Sequence, residues 1–126
     1  MKESTYKFGD PWISFVKYRD NEKFDPSSFD GDMDLKFNTD LSRGENEALC
    51  SLTIELGGTE QHPFYLKLEL SSVFYWEQTQ SEEEIDKFLK FNAVSLLIGY
   101  ARPIIATITS SSRFPTFNLP FINITE

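Results

Sequence analysis

Ser81-Glu82-Glu83-Glu84 opens the stretch that decides how this chain folds, and Ala93-Val94-Ser95-Leu96-Leu97-Ile98-Gly99-Tyr100-Ala101-Arg102-Pro103-Ile104-Ile105 continues it. A serine followed three residues later by glutamate, with acids through the first turn, is a capping box that predicts a helix start. Ile85, Phe88, Leu89, Asn92, Leu96 and Gly99-Tyr100 then follow at helical spacing. Pro103 lacks an N–H donor and crowds the preceding turn, so a kink or break is expected within residues 98–103. Thr109-Ser110-Ser111-Ser112 ends the second helical piece, and Pro115 and Pro120 hold the following tail extended. Between residues 91 and 108 the apolar side chains fall on every face of the helix. A helix lying on one sheet needs only one apolar stripe. A second subunit is the economical cover for the rest, with Leu97, Tyr100, Ile104, Ile105 and Ile108 as its expected seam.

Upstream the period is two. Residues 34–41 alternate Leu35, Phe37, Thr39 and Leu41 against polar neighbours, and residues 48–56 alternate Cys50, Leu52, Ile54 and Leu56. After a Gly57-Gly58 turn, Phe64, Leu66, Leu68 and Leu70 repeat the pattern, which can run on to Trp76. Residues 12–18 read as a first strand with apolar groups on both faces, each expected to be partly covered. Residues 20–33 form a long crossover loop. The fold class is therefore α+β: a four-stranded antiparallel sheet, a long kinked helix on one face and an extended Pro-rich tail, in one domain over residues 1–126.

The 126 residues carry 12 Lys plus Arg against 20 Asp plus Glu, a net charge of −8, with the cations scattered singly. That balance disfavours nucleic acid as a partner. The first residues have no apolar signal core, and the longest uncharged apolar run, residues 93–101, is shorter than a bilayer span. One cysteine excludes an internal disulfide, so a soluble protein of the cytoplasm is expected. His62, the single histidine, reads as a turn residue, and Cys50 as a buried inert thiol. One His and one Cys exclude the usual zinc sites. Asp30-Gly31-Asp32-Met33-Asp34 lacks the glycine of a calcium loop, with Leu35 standing at its sixth position. Asn123-Ile124-Thr125 is a chance sequon. No enzyme, cofactor or metal is expected.

The order Tyr100-Ala101-Arg102, a Ser-rich helix end, then Phe114-Pro115, Asn118-Leu119, Pro120 and Asn123 is similar to the end of the protein-export chaperone SecB and its SecB-like relatives. The element order resembles that fold throughout. The resemblance implies a dimer of dimers with helices sandwiched between outer sheets. It also implies a chaperone without covalent chemistry that holds unfolded or extended polypeptides in apolar grooves, passing them to the SecA motor in the export members. The groove is expected along Phe24, Phe29 and Met33 of the crossover, Phe74 and Trp76 of the last strand, and Phe114, Phe117, Leu119 and Phe121 of the tail. The family continues into a second helix bordering that groove, whereas this chain ends at Glu126, so a more open or differently walled groove is expected. Lys67 stands where the family's motor-docking sheet is acidic. A dedicated chaperone or interaction module for one partner, of antitoxin or phage type, is the alternative within the family. A small-ligand carrier is the alternative outside it.

Overall fold

The computed structural model describes residues 5–122 and Ile124. The first four residues, and Asn123 and Thr125 of the sequon, lie outside them. The strands are β1 (Lys7–Phe8), β2 (Trp12–Asp20), β3 (Leu35–Arg43), β4 (Glu47–Gly57) and β5 (Phe64–Tyr75). All pairs are antiparallel: β5 lies between β4 and the end-to-end pair β1 and β2, and β3 flanks β4. The four expected strands are present, and β1 adds a two-residue fifth in line with β2.

Register follows the alternation. Leu52, Ile54 and Leu56 of β4 stand opposite Leu70, Leu68 and Leu66 of β5, all buried on one face. The β4–β5 hairpin turns on Gly57 and Gly58, at φ +72° and +105°. A Cβ at Gly57 would strike the Phe64 carbonyl, so only glycine fits there. In β2 a bulge places Ser14 between ladder positions. Its hydroxyl donates 2.6 Å to Glu69 and lies 3.0 Å from that of Ser71. The extra residue changes the phase, so Ile13 and Val16, three apart, both face the helix side while Trp12 and Phe15 face away.

Ser81 caps helix α1 (Glu82–Lys87), accepting the Glu84 N–H at 3.1 Å. A π turn (Phe88–Asn92) leads into α2 (Ala93–Ser110). The expected break at residues 98–103 is not there: α2 runs through Pro103, and the irregular turn comes earlier. Gly99, whose carbonyl loses its donor to the proline, and Pro103 itself are both exposed, so water can satisfy that carbonyl. Ile98, Ala101 and Ile105, on the other side, keep the helix seated on β4 and β5. By length and composition alone the stretch Glu82–Ser110 could cross a bilayer, its most apolar 18-residue window having a mean hydropathy of 1.4. Its inner side, however, closes the core of the sheet.

The tail folds back along α2 and is tied at three points. Arg113 pairs with Asp20 at 3.2 Å, and Thr109, fully buried, accepts the Phe117 N–H at 2.9 Å. Arg102 donates to the carbonyls of Leu119 and Pro120.

Candidate functional site

The helix covers β4 and β5 and leaves the helix-side faces of the outer strands open on both flanks. Towards β2, Ile13, Val16, Tyr18, Pro103, Ile104 and Ile108 line a trough of about 590 Å³. Ile13 is 48% and Val16 47% exposed. Phe8 and Tyr100, also exposed, meet edge-on at 6.4 Å between their ring centres. Towards β3, two adjoining recesses of about 290 and 430 Å³ share Thr39, Lys90 and Val94. Leu41 and Leu97 lie in one, Phe37, Ile98, Ile122 and Ile124 in the other. The chain continues past this flank through Phe121, which is 92% exposed.

The expected groove residues divide. Phe24, Phe29 and Phe114 gather with ring centres 5.7 to 6.4 Å apart, all edge-on. Phe64 joins Phe114 at 6.3 Å. This is a closed cluster that caps one end of the core: Phe114 is buried, and Phe24, Phe29, Met33 and Phe117 are partly buried against the core. Phe74 and Trp76 lie at the opposite end of β5, which is 12 residues long, or roughly 35 Å at the usual strand rise. Both are buried. Phe88 packs edge-on to Phe74 at 5.8 Å, and the Arg43 guanidinium lies 5.4 Å over Trp76 while pairing with Glu82 and Asp86. Leu119 is buried too, beneath the Arg102 clamp. One groove running through all nine residues is therefore not formed in this chain. Phe74, Trp76, Phe114 and Leu119 belong to the core because the tail and crossover fold onto the ends of the sheet.

The expected seam divides in the same way. Leu97 and Ile105, at 1% and 0% exposure, are buried against the chain's own sheet, whereas Tyr100 is exposed and Ile104 and Ile108 are only partly buried at the β2 flank. Sequence reasoning missed Ile13, Val16, Phe37 and Leu41. Alternation in β3 marked Phe37 and Leu41 as inward, but nothing in it showed that the helix would stop short of them.

The chemistry of these flanks is that of apolar contact. Burial pushes the Cys50 thiol up to about 11, so it stays protonated and unreactive, as expected. The Asp25 carboxyl is held below its ordinary value by the backbone N–H and then the hydroxyl of Ser27, which shapes the crossover. His62 sits in the hairpin turn, its Nδ1 2.7 Å from the Thr59 hydroxyl. Among the described residues no three His, Cys, Asp or Glu side chains group to hold a metal ion.

The described residues thus form a sheet with one helix across its middle and open apolar flanks on both sides. Residues 13–126 match the family described as preprotein translocase subunit SecB, and the chain belongs to that family. It is 31% identical over 101 residues to an uncharacterised protein of Methanocaldococcus jannaschii. That match covers 73% of this chain and 63% of the relative's length. In structure it is similar to a Mycobacterium tuberculosis SecB-like chaperone solved with a ChAD peptide from the HigA1 antitoxin. The TM-score there is 0.77 at 15% identity, over 94% of this chain and 91% of the other. A Streptococcus agalactiae protein of unknown function matches at a TM-score of 0.51 and 10% identity, over 92% of this chain and 97% of the other.

Proposed function

We propose that this protein is a holding chaperone of the SecB kind, which keeps unfolded or extended polypeptide from aggregating without chemistry or cofactor. The observation that carries this reading is the uncovered apolar surface on both sides of α2 in a chain of this family. The two flanks take different roles. The β2 flank, with Tyr100, Ile104 and Ile108 joined by Ile13 and Val16, is the seam between copies. β2 is a sheet edge whose strand and helix neighbour expose apolar groups together, and a second copy can cover both. The β3 flank receives the client, with Phe37, Leu41, Val94 and Ile98 as its floor and the exposed Phe121 at its border. An assembly of several such grooves binds one extended chain at several points, which raises affinity without new contacts.

The test is suppression of aggregation of a chemically unfolded client at near-stoichiometric ratio. Phe37→Asp and Val94→Asp are expected to abolish suppression while melting temperature and oligomer size stay near wild type. Polar substitution of Phe24, Phe29 or Phe117 is expected to lower melting temperature instead. A wild-type chain that fails to slow aggregation sinks the reading.

Within it, service to one dedicated partner is the narrower reading, because the Mycobacterium protein was solved with an antitoxin peptide. Native affinity capture separates the cases. One recurrent partner supports a dedicated chaperone, whereas a set of secretory precursors, with SecA, supports a cytoplasmic export role.

A further inference from the structure

Beyond the Arg102 clamp the tail lies on the flank assigned to the client. Ile122 and Ile124 are partly buried against the core, and with Phe37, Val94 and Ile98 they line the recess of about 430 Å³ towards β3. The same two isoleucines and Ile98 also line a second recess of about 370 Å³, whose remaining wall includes Ser95, Gly99 and Phe121. The end of the tail thus stands as a partition between two hollows that share Ile98. How the tail is held changes at Pro120. Up to that residue polar ties fix it: Thr109 accepts the Phe117 N–H, and Arg102 donates to the Leu119 and Pro120 carbonyls. Past it, neither Phe121, Ile122 nor Ile124 makes a hydrogen bond or ion pair with a described residue. Apolar contact alone seats this end. Ile122 and Ile124, alternate residues, both line the flank, while Phe121 is 92% exposed. That is the period of an extended chain laying one side on a surface.

We propose that the tail beyond Pro120 is a built-in occupant of the client flank, displaced by a client of like chemistry: an extended segment with aliphatic residues at alternate positions. The inference rests on the holding-chaperone reading and adds to it a competitor and a client class. Three observations favour an occupant over a permanent wall. The isoleucines share one recess with Phe37, Val94 and Ile98, the floor assigned to the client. A segment built into the core would bury the Phe121 ring, as the tail buries Phe114 and Leu119 upstream. The polar ties also stop just before the segment that has to move. A seated tail withdraws part of the population from binding, so apparent client affinity falls by the fraction of chains whose flank is open. The Arg102 clamp confines the displacement to the residues past Pro120, and an arriving client leaves the core undisturbed.

The experiment is a titration of the full chain with a labelled peptide alternating Ile or Val with Ser or Lys, read by anisotropy. A control peptide of the same composition spaces its aliphatic residues three and four apart. Ile122→Ser with Ile124→Ser is expected to bind the alternating peptide ~10-fold tighter than wild type, the gain for a tail seated in about nine chains of ten. Ile122→Ala with Ile124→Ala provides the reading should the serine pair lower melting temperature. Adding Phe37→Asp to either pair is expected to remove the gain, which locates it on the flank. An unlabelled peptide copying residues 119–124 is expected to displace the labelled one from the double variants. Equal affinity of wild type and both double variants overturns the proposal, and so does weaker binding by them, which would make the tail a wall of the groove. A control peptide that binds as tightly as the alternating one overturns the client class. Failure of wild type and variants alike to bind the peptide or to slow aggregation of an unfolded client sinks the holding function itself, and this inference with it.

Discussion

β4 and β2 belong to one sheet, and both are rich in apolar side chains, yet they live in different surroundings. In β4 buried residues alternate with exposed or partly buried ones from Ala48 to Leu56, with neighbours on both edges and the helix above. In β2 nearly every residue is exposed, including Trp12, Ile13, Phe15 and Val16, and only β5 lies beside it. An apolar strand earns burial only where something covers it. The contrast therefore teaches that the helix covers β4 and β5 and leaves the helix-side face of β2 open. The two sides of α2 repeat the lesson: Ile105 is sealed against the sheet, and Ile104, its neighbour, is only partly buried where it lines the trough towards β2.

The sharpest way to break the comparison is to put the same charge on both sides of the helix. Ile105→Asp is expected to unfold the chain, because an unpaired carboxylate in the core exceeds the stability of an ordinary domain's margin. Ile104→Asp is expected to melt near wild type but to run as a smaller species in light scattering. Equal melting temperatures for the two variants would dissolve the distinction, as would a wild-type chain that is monomeric at micromolar concentration.

Truncation in the two strands comes next. Leu52→Ala in β4 should lower unfolding free energy by ~2–5 kcal/mol in denaturant titration. Val16→Ala in β2 should change chain stability much less and show its effect in the dilution at which the assembly dissociates. A large, concentration-independent loss for Val16→Ala would place β2 in a core of its own.

A smaller effect is expected where the tail is clamped. Arg102→Ala removes charged donors to the Leu119 and Pro120 carbonyls and should destabilise by about 1–3 kcal/mol. Amide exchange should accelerate in the tail before it does in β4 and β5. Arg102→Lys should recover only part, since a lysine cannot place two parallel donors.

The smallest effect concerns pH. The Cys50 thiol titrates near 11 when folded against an ordinary 9.0, its neutral form being favoured by burial. A raised folded pKa leaves its contribution fully present below pH 9 and removes it as pH rises through about 11. Melting temperature should therefore fall over that interval, and less steeply for Cys50→Ala.

Much of this could be read from residues alone. Leu52, Ile54, Leu66 and Leu68 announced a half-buried sheet, Ser81 and Glu84 the helix start, and Tyr100-Ala101-Arg102 with the Pro-rich tail the family. The motif arginine turned out to hold the tail to the helix, a role that only the folded distance between residues 102 and 119 could show. The bulge at Ser14 was hidden because a one-residue change of phase looks like an apolar strand with two apolar faces. Phe24, Phe29 and Phe114 could be read as sticky, but whether they met a client or one another depended on the path of the crossover.

By itself the amino-acid sequence determined the period of β3, β4 and β5, the helix cap, and the turn at Gly57 and Gly58. Each of these is a local consequence of side-chain spacing or backbone freedom. Only the tertiary structure decided which apolar residues were spent on the core and which were left on the flanks of α2. That division depends on how wide the sheet is and where the helix crosses it. With β4 and β5 under the helix and β2 and β3 beyond its reach, the uncovered flanks follow from geometry that no single stretch of sequence contains.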